Sequence, residues 1–256
     1  MKNNIVENTM DDLVLRADRD GVCQLTLNRP DKLNALNVDL FKALEAHVAD
    51  LEAAPVGVVV LRGAGRCFSA GHDLGDIAAG EKLPRPNYQS HVIQRLADLS
   101  SPVVSAVHGH CYTGALELAL AGDIILAAES AKFGDTHAKW ALTPVWGLSQ
   151  RLPRRVGTYK AREMMFTCRT YSGRQAETIG LANACVTDAE FEAAVDSLTA
   201  EILANSSFSH AANKRLLTET DGLSQPAGLA HEVYRSQGAG PDMADRIRQF
   251  TRRPIA

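Results

Sequence analysis

The apolar positions of this chain follow two periods that alternate along its first part. Residues 22 to 28, VCQLTLN, place an apolar side chain at every second position, the period of a strand with one buried face, and RPDK after them ends it. From Asn37 to about Ala54 the period becomes helical: Leu40, Phe41, Leu44, Val48 and Leu51 share one face, Asn37 stands where a cap is needed, and Pro55 stops the helix. VGVVVLRG (56 to 63) and PVVSAVHG (102 to 109) are unbroken apolar runs rich in β-branched residues, as in strands covered on both faces. GALELALAG (114 to 122) predicts a short buried helix and DIILAAE (123 to 129) a further strand. From Arg151 onward helix signals dominate, with GTYKAREMMF, a Ser172 to Gln175 capping box, and a Thr187 to Glu190 pair before FEAAVDSLTAEILAN. NACV (183 to 186) reads as one short strand among them, and AGLAHEVYRSQGAGPDMADRIRQFTRR as two helices broken by GAGP. The expectation is an α/β fold over the first 150 or so residues and a helical last third, with no repeat or low-complexity linker to divide them.

Composition narrows the function classes. A chain of 256 residues with 45% hydrophobic and 22% charged residues can bury a sizeable core and matches a folded globular protein. Lys and Arg number 27 against 30 Asp and Glu, net −3, so no basic excess is available for a phosphate backbone and nucleic acid is not an expected partner. No apolar run approaches the roughly 18 residues of a membrane span, and the start, MKNNIVENTMDD, has neither a secretory nor an Arg-rich transit pattern. The five cysteines, Cys23, Cys67, Cys111, Cys168 and Cys185, are odd in number and scattered, which fits a reducing compartment better than a disulfide framework. A cytoplasmic protein without a membrane partner is expected.

Three stretches can carry chemistry. GAGRCFSAGHDL (63 to 74) is glycine-rich after a strand, but Phe68 stands where GxGxxG needs glycine and no Gly-Lys-Ser/Thr follows, so neither nucleotide fingerprint is met. What remains is a turn, Ala70-Gly71-His72-Asp73, whose small residues let a ligand approach the backbone. In HGHCYTGALELAL (108 to 120), Gly114 opens a helix, so its N–H is unpaired at the positive end of the dipole, and Glu117 is a carboxylate among apolar neighbours that needs a partner or a purpose. FGDTHAKWALTP (133 to 144) sets Asp135, Thr136 and His137 side by side between apolar stretches, as a polar turn or the edge of a site. His108 and His110 would share a strand face, yet no third ligand follows at a metal-site spacing, so no metal is expected. His47, His91, His210 and His231 fall within expected helices.

LNRPDKLNALN, VVVLRGAGRCFSAGHDL, SPVVSAVHGHCYTGALELALAGDIILAAESAKFGD, LTPVWGLSQRLPRRVG and AETIGLANACV occur in this order, and together they resemble the blocks of the enoyl-CoA hydratase/isomerase (crotonase) superfamily. The resemblance covers residues 12 to about 253. It implies a ββα spiral core (1 to 195), a C-terminal helical region (196 to 256) that mediates trimerisation, and a homotrimer or dimer of trimers. It also implies an acyl-CoA thioester substrate and no cofactor, since CoA enters with the substrate. The oxyanion hole becomes the backbone N–H groups of His72 and Gly114, and main-chain donors survive an imidazole where many relatives have alanine. Glu117 matches the glutamate that activates water. The second glutamate of hydratases falls at His137, the main departure: either His137, oriented by Asp135 or Thr136, takes the proton role, or it lines the pocket and Glu117 manages both protons. CoA is expected near Lys32, Ala35, Ala70, Gly71, Asp73 and Leu74, with Arg252 or Arg253 as further phosphate partners. Pocket walls are expected from residues 76 to 96 and from Trp140 or Trp146.

The first functional expectation is therefore hydration of a 2-enoyl-CoA to a 3-hydroxyacyl-CoA. Double-bond isomerisation stands second. Carbon-carbon bond hydrolysis ranks lower, because hydrolases of this fold place an aspartate shortly after the proline, where Val145, Trp146 and Gly147 follow Pro144. Decarboxylation of a malonyl-type CoA needs the same oxyanion hole. A non-catalytic acyl-CoA binder is disfavoured by Glu117, and an RNA-associating relative by the charge balance.

Overall fold

The computed structural model describes residues 12–251. Its first half runs β1 (Val14–Arg19), β2 (Val22–Leu27), α1 (Val38–Ala53), β3 (Val58–Gly63), α2 (Leu74–Ala79), α3 (Tyr88–Ala97), β4 (Val103–Val107), β5 (His110–Tyr112), α4 (Gly114–Ala119) and β6 (Ile124–Ala128). It continues through β7 (Lys132–Gly134), α5 (Leu148–Val156), α6 (Thr158–Thr167), β8 (Tyr171–Ser172), α7 (Gly173–Thr178) and β9 (Ala184–Val186). The helices α8 (Phe191–Leu203), α9 (Ser207–Thr220), α10 (Gln225–Arg235) and α11 (Met243–Thr251) complete it.

The unbroken apolar runs are strands covered on both faces, as their pattern predicts. The main sheet has the order β1-β2-β3-β4-β6-β9, antiparallel between β1 and β2 and parallel elsewhere. Alternation divides each run between two cores: Val59, Leu61, Val103 and Val107 meet α1, α3 and α4, while Val58, Val60, Val104 and Ala106 meet Phe191 and Val195 of α8. The α1 stripe of Leu40, Phe41, Leu44, Val48 and Leu51 is buried, and Asn37 caps the helix by accepting from the Leu40 N–H at 3.0 Å. A second sheet, β5-β7-β8, stands beside the first and carries the chain into α4.

Several expectations shift. The helix expected over 114 to 122 stops at Ala119, where Ser105 Oγ donates to the Ala119 carbonyl at 2.9 Å and Gly122 N donates to the same oxygen at 3.1 Å. The Ser172 to Gln175 box forms in both directions, but the Thr187 to Glu190 pair precedes its helix: Glu190 is itself the N-cap of α8. The expected boundary at 195/196 falls inside α8, whose Val195, Leu198 and Ile202 cover the sheet, so the last three helices begin only at Ser207. His108 and His110 do not share a strand face. β4 ends at Val107, β5 starts at His110, and Gly109 at φ +55° turns the chain between them. Among the described residues no cluster of three or more His, Cys, Asp or Glu forms a metal site, and no helix is long and apolar enough to cross a membrane.

Candidate active site

The site begins at two loops stitched together by backbone polar groups. Asn34, fully buried, donates from Nδ2 to the Ala64 and Cys67 carbonyls at 2.8 Å each, tying the DKLNAL loop to the glycine-rich turn. Ala70 N then donates to Leu33 O, Gly71 N to Ser69 Oγ, and Asp73 N to Leu36 O. His72 N is the exception, with no acceptor among the described residues. The alternation comes from the extended backbone: His72 pairs beside Leu36, so its own N–H faces the other way, into the cavity. Gly71 is required here, since its φ is +103° and a Cβ would lie 2.6 Å from the Tyr112 carbonyl.

Gly114 brings the second donor. It opens α4, so its N–H has no partner within the helix, and none elsewhere among the described residues. A Cβ at Gly114 would come within 3.2 Å of His72 N and 2.5 Å of the Trp146 ring, so the two backbones lie close together beside the indole. Thr113 before it sits at φ +54°, ψ −109°, a sparsely populated conformation for a residue with a Cβ. It is held there by its N–H to Gly134 O (2.8 Å) and by its hydroxyl, which meets Thr136 Oγ1 at 2.6 Å and accepts from Thr136 N at 3.1 Å. The turn that aims Gly114 is thereby locked to the segment that carries His137.

Glu117 lies one helical turn on, 1% exposed. Its Oε1 accepts from Trp146 N at 2.9 Å and Leu148 N at 3.1 Å, the latter at the start of α5, where the helix dipole favours negative charge. Burial pushes the Glu117 pKa above the ordinary carboxylate value, while the N–H donors and His137 pull against that shift. Oε2 is 3.8 Å from His137 Nε2. On its other side the imidazole meets Asp135, 1% exposed, with Nδ1 to Oδ1 at 2.6 Å, and the His137 N–H donates to the same oxygen at 3.1 Å. A carboxylate only accepts, so Nδ1 carries a proton, and Nε2 turns to Glu117. Asp135 thus orients the ring, and Thr136 instead supports the turn that aims Gly114.

Glu117, His137 and Trp146, with His72 and Gly114, line one cavity of about 640 Å³. Of the residues expected from sequence, Ala70, His72, Leu74, Gly114, Glu117 and His137 line it. Lys32 is exposed and Ala35 half-buried on the neighbouring loop, and neither reaches the cavity wall. Gly71 contributes its carbonyl to Leu36 N, and Asp73 spends its carboxylate on Arg29 at 3.1 Å and on capping α2. Arg252 and Arg253 lie outside the described residues. Both tryptophans line the cavity, but from residues 76 to 96 only Ile77 does; α3 turns Tyr88, Val92, Ile93 and Leu96 into the core instead. The walls come from Thr136 to Trp146 and from Tyr112 and Thr170. The Trp146 and Leu148 N–H groups escaped sequence reasoning because a backbone donor has no residue signature; Gly147 before a helix was the available signal.

Residues 17–237 match the family model described as enoyl-CoA hydratase/isomerase. The chain is 31% identical over 255 residues to a protein of Mycobacterium bovis named as a probable enoyl-CoA hydratase, covering 94% of this chain and 98% of that one. It resembles the crystal structure of enoyl-CoA hydratase from Bacillus anthracis with a TM-score of 0.85 at 28% identity, covering 93% of this chain and 96% of that one. A Thermobifida fusca structure in complex with acetoacetyl-CoA matches with a TM-score of 0.81 at 28% identity, covering 94% and 98%.

Proposed function

The chain belongs to the enoyl-CoA hydratase/isomerase family, and from that premise we propose that it adds water across the α,β double bond of a 2-enoyl-CoA to give a 3-hydroxyacyl-CoA. The observation that carries this reading is the meeting, in one cavity, of the two unpaired N–H groups with a buried glutamate and an oriented imidazole. The thioester carbonyl accepts from His72 N–H and Gly114 N–H, which stabilise the charge growing on its oxygen. Each donor of this kind contributes about a hundred- to a thousandfold in rate. As the water oxygen bonds the β-carbon, Glu117 takes one of its protons and the π electrons move to the α-carbon as an enolate. His137, an imidazolium at the start of this reading, donates its Nε2 proton to that carbon and keeps the Nδ1 proton on Asp135. Glu117, now protonated, and His137, now neutral, are 3.8 Å apart, and proton return between them restores both. No step in this reading needs a metal or a cofactor.

The CoA moiety is assigned to the surface continuous with Ala70 and Leu74. Lys32 and Ala35 act from the adjoining loop, which the Ala70 and Leu36 hydrogen bonds join to the oxyanion strand, and Gly71 and Asp73 act from that strand on either side of His72. A Thermobifida fusca neighbour holding acetoacetyl-CoA supports the substrate class. Isomerisation is the second reading, favoured by the closeness of Glu117 and His137, which suits a proton shuttle between carbons. Turnover of an enoyl-CoA in heavy-oxygen water separates the two: the product is expected to carry solvent oxygen at the β-carbon, and an unlabelled, shifted double bond would overturn hydration.

The proposal extends to assembly and location. α9, α10 and α11 bury no residue in the single chain and expose Leu217, Leu229, Val233, Ile247 and Phe250, apolar side chains that self-association would cover. The helical region is assigned to contacts between copies, in a trimer or dimer of trimers. Sedimentation velocity is expected to give a trimer or hexamer mass, and a monomer at micromolar concentration would remove this part. The five free, buried thiols accord with the proposed cytoplasmic location.

A further inference from the structure

Burial works against the charge on Glu117. Its carboxylate is buried, and among the described residues the N–H groups that donate to it are those of Trp146 and Leu148, on one turn before α5. That turn is tight, with Gly147 at φ +109°. What fixes it is Arg151, one helical turn further on. Arg151 Nη1 donates to the Trp146 carbonyl at 3.0 Å, an oxygen that lies between the two donor N–H groups in the chain. Its Nη2 donates to Gln94 Oε1 on α3 at 2.6 Å, and Gln94 Nε2 donates to Asp98 at 2.8 Å. A Cβ on Gly147 would stand 2.4 Å from the same Nη1, so the guanidinium lies directly on the turn's backbone.

This is an unusual use of a cation. Burial lowers the Arg151 pKa against the attraction of Asp98 and Glu117, and its hydrogen bonds go to a carbonyl and an amide rather than to a carboxylate. A half-buried guanidinium that spends its donors on neutral acceptors gives up hydration without gaining an ion pair, and the return is its geometry. The geometry here serves the two donors on Glu117, because a planar fork holds two acceptors in a fixed arrangement from two separate nitrogens, where a lysine ammonium is a single rotatable centre.

We propose that Arg151 is a positioning residue for Glu117: by clamping the Trp146–Leu148 turn to α3 it keeps both N–H groups on Oε1, and so keeps the carboxylate ionised and aimed into the cavity. The inference rests on Glu117 being the base of the proposed reaction. The test is the pH profile of kcat/KM for hydration, with the ionisation of Glu117 read independently by infrared difference spectroscopy against Glu117→Gln as blank. A base must be ionised, so the rate falls as pH drops through its pKa, and weakening the donors moves that fall to higher pH. Arg151→Met is expected to move the acid limb and the infrared titration together by about one unit, a roughly tenfold loss below the limb that recovers at alkaline pH. Arg151→Lys should fall between. A loss equal at every pH, or none, with the Glu117 titration unmoved, overturns the proposal. Should Arg151→Met fail to fold, Gln94→Leu removes the outer anchor alone, and the limb must still move the same way. Activity surviving in Glu117→Gln would instead defeat the assignment of the base, a different outcome from an unmoved limb.

Discussion

Glu117→Gln is expected to lower kcat for enoyl-CoA hydration by about a hundred- to ten-thousandfold, the range for loss of a positioned general base. The substitution suits the test because it changes little else. Gln keeps a side-chain oxygen where Oε1 accepts from Trp146 N and Leu148 N, so the turn over the oxyanion hole stays in place. It also removes a buried ionisable group, and the sign of that effect on stability follows from the raised pKa. Between the unfolded and folded values of Glu117, the folded state binds more protons, so wild-type stability falls as pH rises through the folded pKa. The glutamine variant has no such loss. Its melting temperature is expected to match wild type in acid and to equal or exceed it at neutral and alkaline pH, while its turnover collapses. Enoyl absorbance and thermal melts across pH read both, and near wild-type turnover would sink the role of Glu117. Activity held at the expense of stability is what a carboxylate kept charged inside a protein implies.

Much of this arrangement is legible in the sequence, and the illegible part has a physical pattern. Periodicity finds α1 and the strands β2, β3, β4 and β6 because each buries enough apolar surface to shape its own sequence. It misses β1, VLRADR, an edge strand that sets a half-buried Arg16–Asp18 pair where the period needs apolar residues, and the strands of two or three residues in the second sheet, too short to show a period. The glycine and the carboxylate of α4 stand out because a buried helix tolerates a charge only for a reason. Their partners do not stand out: the donors on Glu117 are backbone, and Arg151 resembles any basic residue of an amphipathic helix. Asp135 is visible two residues from His137, yet its role over Thr136 needs coordinates, because both side chains are close in sequence and only the fold turns one to the imidazole and the other to Thr113.

His137→Ala is expected to lower kcat by about a hundredfold or more, the lower end for loss of a general acid, with a much smaller change in KM. The ring is 8% exposed and lies between two acids, 2.6 Å from Asp135 and 3.8 Å from Glu117, a position with more purpose than a wall requires. A pocket wall would register in KM and in acyl preference, whereas a proton donor registers in kcat, and added imidazole should restore part of the lost rate to the alanine variant. Full activity in His137→Ala would leave Glu117 to handle both protons. Asp135→Asn probes the same pair from behind: the His137 N–H still fixes the oxygen at position 135, so Nδ1 keeps its acceptor and the ring loses only the charge that favours the imidazolium acid. A milder loss than in the alanine variant is therefore expected. His137→Glu, which restores the second glutamate of the family, should not restore the rate. The new carboxylate would face Asp135 across the space the imidazole proton now fills, and like charges at that separation favour protonation of one of them or displacement of the side chain. The histidine and Asp135 work as a unit, and exchanging one without the other breaks it.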